Sequence, residues 1–368
     1  MGSDQMNHSQ VAIPCCLMRG GTSKGPFFLE SDLPGDIAMR DKVLLAAMGS
    51  PDKRQIDGVG GAHPLTSKAG IVRRSEIEDV DLEFLFAQLT PESDLVDTTP
   101  NCGNMLAAAV PFALESGLLT PESGVSSFRV LTRNTGMKSD ITVLTADGEM
   151  DYQGDAHIDG VPGTASPVKI NFLDTAGSVC SGLLPTGHVT DIINGVETTC
   201  IDNGMPVVIF RAQDMDRTGR ETVAELNADE ELKEKIEALR LKASLLMGLG
   251  DVTAKNYPKM CLIAPPRYDG NIATRCFIPH VCHDAIGVMA AVTIASACVL
   301  ENSVCGGIAR IPEGLNKSVS VEHPTGEFTV EIALDPRNPQ MVERAALIRT
   351  ARLLMKGSIM VPARIFTE

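Results

Sequence analysis

Two residues have surroundings that suit proton-transfer chemistry. Lys68 ends a glycine-rich approach, Asp57-Gly58-Val59-Gly60-Gly61-Ala62-His63-Pro64-Leu65-Thr66-Ser67-Lys68, and opens an apolar run. Glycines let backbone come close to whatever the loop contacts. A lysine that takes a proton from carbon at neutral pH needs its pKa brought from about 10.4 to roughly 7–8, at a cost of about 4 kcal/mol. That requires desolvation or nearby cations, for which Lys24, Lys259 and Arg275 are the candidates. Cys102 lies in Pro100-Asn101-Cys102-Gly103-Asn104, where a strand ends and a long apolar segment starts. A thiol at a helix start meets the positive end of the dipole, which favours thiolate. Unused N–H groups of the first turn, at Gly103 and Asn104, suit a carboxylate. The competing reading is a buried capping cysteine, and polar Asn101 and Asn104 beside it weigh against that.

Three further groups qualify as ligands. His283 takes the corresponding helix start in the second half of the chain. A neutral imidazole is expected there, able to orient a carboxylate, although a simple cap fits as well. Cys282 is off by one position and should not present its thiol where Cys102 does. The stretch Arg19-Gly20-Gly21-Thr22-Ser23-Lys24-Gly25 is a tight loop with hydroxyls and two cations, suited to a carboxylate or phosphate. It lacks Walker spacing, and no dinucleotide fingerprint occurs. Asp202-Asn203-Gly204 is its counterpart later in the chain.

These groups are positioned by a chain that repeats itself. Four anchors recur in order at an offset of roughly 180–190 residues. The glycine-and-proline strand start at Gly25-Pro26 matches Met205-Pro206, and Lys68 matches Lys259. Asn101–Asn104 matches Cys282–Ala285, and Arg133-Asn134-Thr135-Gly136 matches His323-Pro324-Thr325-Gly326. A repeat of this period indicates a duplicated domain, with the active site expected in the cleft between halves. The expected halves are residues 1–189 and 190–368, with the last strand able to cross back to the first half. Short apolar runs separated by turns predict strands at 128–133, 140–144, 206–211, 259–264, 318–322 and 328–334. Asp147-Gly148 predicts a hairpin. Helices are expected at 36–48, capped by Gly49, and at 229–247 before Gly248. Segments 103–119 and 284–300 are apolar nearly all round, which predicts one buried helix per half with a sheet wrapped around it. Pro111 inside the first is unexplained at this level. The fold class is therefore α+β.

Composition limits the function. A net charge of −15 and an aromatic content of 4% without Trp argue against nucleic acid or anionic membrane as partner. A small anion in a locally positive cleft is still allowed. Ten cysteines without a CxxC pair give neither zinc spacing nor a disulfide framework, so no metal is expected and reduced thiols in a cytoplasm are. No secretory signal is read, and Met6 is an alternative start after residues 1–5.

The motifs Met18-Arg-Gly-Gly-Thr-Ser-Lys-Gly25, Asp57-Gly-Val-Gly-Gly61, Leu65-Thr-Ser-Lys68, Asn101-Cys-Gly-Asn104, Ile158-Asp-Gly-Val-Pro-Gly163 and Cys200-Ile-Asp-Asn-Gly-Met-Pro206 resemble the 2-methylaconitate isomerase (PrpF-type) family. The halves and their Cys-Gly-Asn look like the diaminopimelate epimerase fold. Within the family the chain is most similar to the 4-oxalomesaconate tautomerases and isomerases, from about residue 13 to 361. The resemblance implies an isomerase without metal or organic cofactor that moves a proton in an unsaturated di- or tricarboxylate. It implies Lys68 and Cys102 as catalytic residues. Arg19, Thr22, Ser23, Lys24, Asn101, Gly103, Asn104, Asn203, Arg275 and His283 would then hold the substrate. His283 stands where the epimerases carry a second cysteine, which favours allylic or keto–enol transfer over racemisation. Aconitate or 2-methylaconitate isomerisation, or carboxylate binding without turnover, are the alternatives. A homodimer is compatible with this reading.

Overall fold

The computed structural model describes residues 9–367; the alternative start at Met6 lies outside them. The chain divides into two compact units, Met1–Ile170 with Arg349–Glu368, and Asn171–Ile348. The division falls at residue 170, not near 189, because 171–189 is tied to the second unit. Gly177 N donates to Asp202 O, Asp202 N to Leu183 O, and the N–H groups of Val179 and Cys180 to the buried Asp202 carboxylate.

The first unit contains β1 (Gln10–Gly20), β2 (Ser23–Leu29), α1 (Ile37–Met48), β3 (Lys68–Arg74), β4 (Leu82–Leu89), β5 (Val96–Asp97), α2 (Gly103–Leu106), α3 (Ala109–Glu115), β6 (Gly124–Thr132), β7 (Met137–Ala146), β8 (Glu149–Met150) and the start of β9 (Pro167–Phe172). The second contains β10 (Asp191–Ile193), β11 (Val196–Asp202), β12 (Pro206–Arg211), α4 (Val223–Ala228), α5 (Glu230–Leu246), β13 (Lys259–Ala264), β14 (Ile272–Phe277), α6 (Val288–Val299), β15 (Asn316–His323) and β16 (Gly326–Asp335). The last strand, β17 (Asn338–Pro362), gives its beginning to the second unit, against β16, and its end to the first, antiparallel to β1.

The repeat seen in sequence is a repeat of pairing. In the first unit β1–β2 is antiparallel, β2–β3 parallel, β3–β4 antiparallel, β4–β6 parallel and β6–β7 antiparallel. In the second, β11–β12, β12–β13, β13–β14, β14–β15 and β15–β16 follow the same order. The strands read as continuous apolar runs because both faces are covered. Phe28, Ala69, Ile71, Leu85 and Ala87 pack on α1 through Val43, Leu44 and Met48. Alternation turns Phe27, Phe84 and Phe86 the other way. Phe27 there meets Phe84 and Phe112 of α3, with ring centroids 6.1 and 5.6 Å apart. In the second unit Val208, Phe210, Met260 and Leu262 pack on Leu232, Ile236, Leu239 and Ala243 of α5. The buried α6 packs on β11, β12, β15 and β16.

The two central helices are shorter than the apolar pattern predicts. Segment 103–119 is broken at Ala107–Ala108 into α2 and α3. With Ala108 as N-cap, Pro111 is the third residue of α3, where a backbone N–H has no intrahelical acceptor. Proline therefore costs this helix no hydrogen bond. Segment 284–300 becomes helical only at Val288, behind N-cap Gly287. Other sequence expectations hold in detail: Gly49 caps α1 at φ 81°, and Asp147 and Gly148, at φ 51° and 81°, turn β7 into β8. No helix among the described residues is long and apolar enough to cross a membrane.

Candidate active site

Lys68 is the first residue of β3 and is only 7% exposed. Its Nζ donates to Ser23 Oγ at 3.1 Å and to Cys102 Sγ at 3.4 Å, and lies 5.6 Å from the centroid of the Phe86 ring. Ser23 is fully buried. Among the described residues no carboxylate is within ion-pair distance of this amine. The sequence places Lys68 here through the parallel β2–β3 pair, Phe27 opposite Gly70, which brings the start of β3 beside the start of β2. Gly25 is required by this approach, because a Cβ there would overlap Lys68 O.

Gln55 fixes the loop before the lysine. It is 1% exposed and has a left-handed φ of 47°. Its Oε1 accepts from Ala62 N at 2.8 Å and from Ser67 Oγ at 2.9 Å, while its Nε2 donates to Ser50 Oγ at 3.1 Å. A Cβ at Gly60 would overlap this amide. The glycines of the approach thus make room for protein groups. In the second unit fully buried Arg240 plays the matching part, donating to Val252 O, Lys255 O and Tyr257 O ahead of Lys259.

Cys102 is the N-cap of α2, in extended conformation and half-buried, and its side chain makes no capping bond. Because α2 has four residues, the dipole at this thiol is that of one turn, not the long helix expected from sequence. The first N–H used inside α2 is that of Leu106, donated to Cys102 O at 2.9 Å, so those of Gly103, Asn104 and Met105 are not consumed within it.

The remaining expected ligands fall into two groups. Thr22 Oγ1 accepts from Asn104 Nδ2 at 3.0 Å, and Asn104 Oδ1 accepts from Arg349 Nε at 3.1 Å. Thr22 and Asn104 thus stand beside the lysine–thiol pair, and glycines 20 and 21 leave room for Asn104. Asn101 Nδ2 donates to Thr135 Oγ1 at 2.7 Å. Arg19 holds its own turn and the last strand, with NH1 donating to Gly21 O, Thr350 O and Thr350 Oγ1. Burial pushes its guanidinium pKa down, with Arg352 adding to the effect. Lys24 pairs with Arg19 across β1–β2 and faces away from Ser23 by strand alternation.

In the second unit Asn203 is buried with both ends of its amide hydrogen-bonded. Its Nδ2 donates to Ser296 Oγ and its Oδ1 accepts from Thr175 Oγ1. Arg275 donates to Glu221 O and Thr274 O, and burial lowers its pKa. Burial likewise lowers that of Lys259. His283 is not at a helix start: it is exposed, four residues before the N-cap of α6, with its N donating to Cys276 O and its Nδ1 accepting from Ala285 N. His283 therefore lies outside the first turn of α6, where a helix dipole would favour a neutral imidazole. Cys282 is buried, and burial pushes its thiol up to about 12. Gln55, Phe86 and Arg349 escaped the sequence reading, since their roles show only in folded contacts: Gln55 with Ser50, Ala62 and Ser67, Phe86 with Lys68, and Arg349 with Asn104. Among the described residues no three His, Cys, Asp or Glu side chains converge as a metal ion would need.

Paired sheet-and-helix halves, one carrying a buried amine against a thiol, define a diaminopimelate epimerase-like fold equipped to move protons. The chain belongs to the PrpF protein family, which matches residues 10–362, and it is an isomerase. A 4-oxalomesaconate tautomerase of Pseudomonas putida is 51% identical over 350 residues, covering 95% of this chain and 96% of that one. A (4E)-oxalomesaconate Delta-isomerase of Novosphingobium sp. is 50% identical over 350 residues, covering 95% and 98%. The crystal structure of a methylitaconate-delta-isomerase superposes with a TM-score of 0.86 at 32% identity, covering 97% of each chain.

Proposed function

We propose that this isomerase moves one proton within 4-oxalomesaconate or a closely similar unsaturated tricarboxylate, with Lys68 as the acid–base group and without metal or organic cofactor. The observation that carries the reading is the buried Lys68 amine, 3.1 Å from Ser23 Oγ and 3.4 Å from Cys102 Sγ, with no carboxylate partner among the described residues. Two relatives at 51% and 50% identity that bear 4-oxalomesaconate in their names support the substrate class.

In this mechanism the Lys68 amine takes a proton from the carbon next to the unsaturated system. The electron pair left behind delocalises into the adjacent carbonyl or carboxylate as an enolate. The N–H groups of Gly103 and Asn104 suit that developing charge, since oriented backbone donors stabilise oxyanions. The ammonium then returns the proton at the far carbon of the allyl unit, which shifts the double bond by one position. In the keto–enol variant the hydroxyl proton leaves and carbon receives one, with Cys102 as the second acid–base group. Either route leaves the overall composition unchanged. Ser23, bonded to Lys68, the bonded pair Thr22 and Asn104, and Asn101 next to Cys102 would orient the carboxylates.

We also propose a cytoplasmic location, supported by ten cysteines of which none forms a disulfide. The test of function is turnover of 4-oxalomesaconate followed by ultraviolet absorbance and proton NMR in deuterated water, beside cis- and trans-aconitate and 2-methylaconitate. Turnover of the aconitates with 4-oxalomesaconate inert would refute the substrate. Absence of both turnover and deuterium exchange for all of these acids would refute the proton-transfer mechanism.

A further inference from the structure

The turn Arg133-Asn134-Thr135-Gly136, one of the four repeat anchors, joins β6 to β7 and takes no part in the chemistry above. Its side chains nevertheless reach Phe86, which packs under the Lys68 amine, and the segment that leads to Cys102. The parallel β4–β6 ladder runs out at Phe84 and Thr132. Beyond it Asn134 continues the pairing with its side chain: Oδ1 accepts from Phe86 N at 2.9 Å and Nδ2 donates to Phe86 O at 2.8 Å. Phe86 is the ring on which the Lys68 amine rests. The same Nδ2 donates to Thr98 O at 2.6 Å, in the segment that leads to Cys102. The next residue, Thr135, accepts from Asn101 Nδ2 at 2.7 Å, one residue before the thiol.

The second unit gives an internal control. Its equivalent turn keeps the threonine contact, with Thr325 Oγ1 donating to Asp284 O at 2.8 Å ahead of α6. It has Pro324 in place of Asn134, and proline has no side-chain amide to make such a clamp. The strand order closes in that unit all the same. The fold alone therefore does not demand the amide; it occurs in the unit that holds the lysine–thiol pair.

We infer that Asn134 and Thr135 are positioning residues that fix the Cys102 thiol against the Lys68 amine by clamping Phe86 and the segment 98–101 to one rigid turn. The inference rests on Lys68 and Cys102 being the reacting pair. Catalytic groups displaced by about 1 Å lose on the order of 10²-fold in rate, so small slack in this turn should be measurable.

The test compares Asn134→Leu, Thr135→Val and Thr135→Ser with the unaltered protein. Two readouts are taken: kcat and KM with 4-oxalomesaconate, and the rate at which iodoacetamide alkylates Cys102 at fixed pH without substrate. For Asn134→Leu and Thr135→Val, kcat should fall about 10–100-fold with KM changed less than about threefold, the pattern of lost alignment. Alkylation of Cys102 should slow severalfold as the amine moves off the sulfur, since an adjacent base activates a thiol. Thr135→Ser keeps the hydroxyl and should restore both. Thr135 is exposed, so Thr135→Val serves if Asn134→Leu fails to fold. A folded Thr135→Val whose Cys102 alkylation rate stays within twofold of the unaltered protein would overturn the inference, and so would an unchanged kcat. Alkylation needs no substrate, so it decides this point even if 4-oxalomesaconate is not turned over.

Discussion

Replacing Lys68 by methionine separates its chemistry from its structural role. The side chain is 7% exposed, lies over the Phe86 ring, and among the described residues donates to Ser23 Oγ and Cys102 Sγ. Methionine has similar length and fills irregular apolar space. The fully buried Ser23 hydroxyl loses its lysine donor, which costs roughly 1–3 kcal/mol. Replacing a buried amine, without a carboxylate partner among the described residues, by an apolar thioether offsets part of that cost. The melting temperature should therefore fall only modestly. Activity should not hold. A positioned acid–base group is worth roughly 10²–10⁴ in rate, which at 1.36 kcal/mol per decade is about 3–5 kcal/mol of transition-state stabilisation. Lys68→Arg should be as damaged as Lys68→Met although it keeps the charge, since a guanidinium does not give up its proton in this range. The assay is single-turnover conversion of 4-oxalomesaconate, with a thermal melt on each variant. Single turnover removes product release from the rate, so the loss is assigned to the proton-transfer step. Folded Lys68→Met within tenfold of normal turnover, with Cys102→Ser inactive, would refute the assignment and make the thiol the principal acid–base group.

Peptide mapping after limited alkylation near neutral pH should find Cys102 modified first and protected by substrate. Cys180 is also partly exposed, but burial and the nearby Asp202 push its thiol up to about 12, so it should lag. Gly25→Ala should lower the melting temperature and reduce kcat together. The added Cβ meets the fixed carbonyl of Lys68, and such overpacking costs roughly 1–3 kcal/mol. Acid titration should reveal the Glu237–Arg240 pair, in which the hydrogen bond from buried Arg240 holds the Glu237 carboxyl below its ordinary value. A depressed folded-state pKa gives stability that is present above the unfolded value and lost as pH falls through the folded one. Denaturant melts from pH 6 to 3 should therefore show a smaller acid loss in Glu237→Gln than in the unaltered protein.

The sequence alone determined the duplication, because each half must cover both faces of its strands and so writes the same apolar runs twice. β12 and β13 fall on the strands expected at 206–211 and 259–264. It also singled out Lys68 and Cys102, since a lysine opening a buried strand and a cysteine between asparagine and glycine are unusual choices for packing. What the sequence could not decide was where backbone hydrogen bonds between distant segments override local pattern. The apolar run 284–300 reads as one helix. The backbone of Cys282 and His283 is instead held by Asn227 Oδ1 and Cys276 O, which delays the helix to Val288 and leaves His283 exposed. Pro111 looks anomalous until the break at Ala107–Ala108 makes it a first-turn residue. Arg19 and Asn203 have the composition of anion ligands, yet Arg19 NH1 serves Thr350 and Asn203 Nδ2 serves Ser296, far along the chain. Residue type fixes what a side chain is able to bind; only the folded chain decides which partner reaches it first.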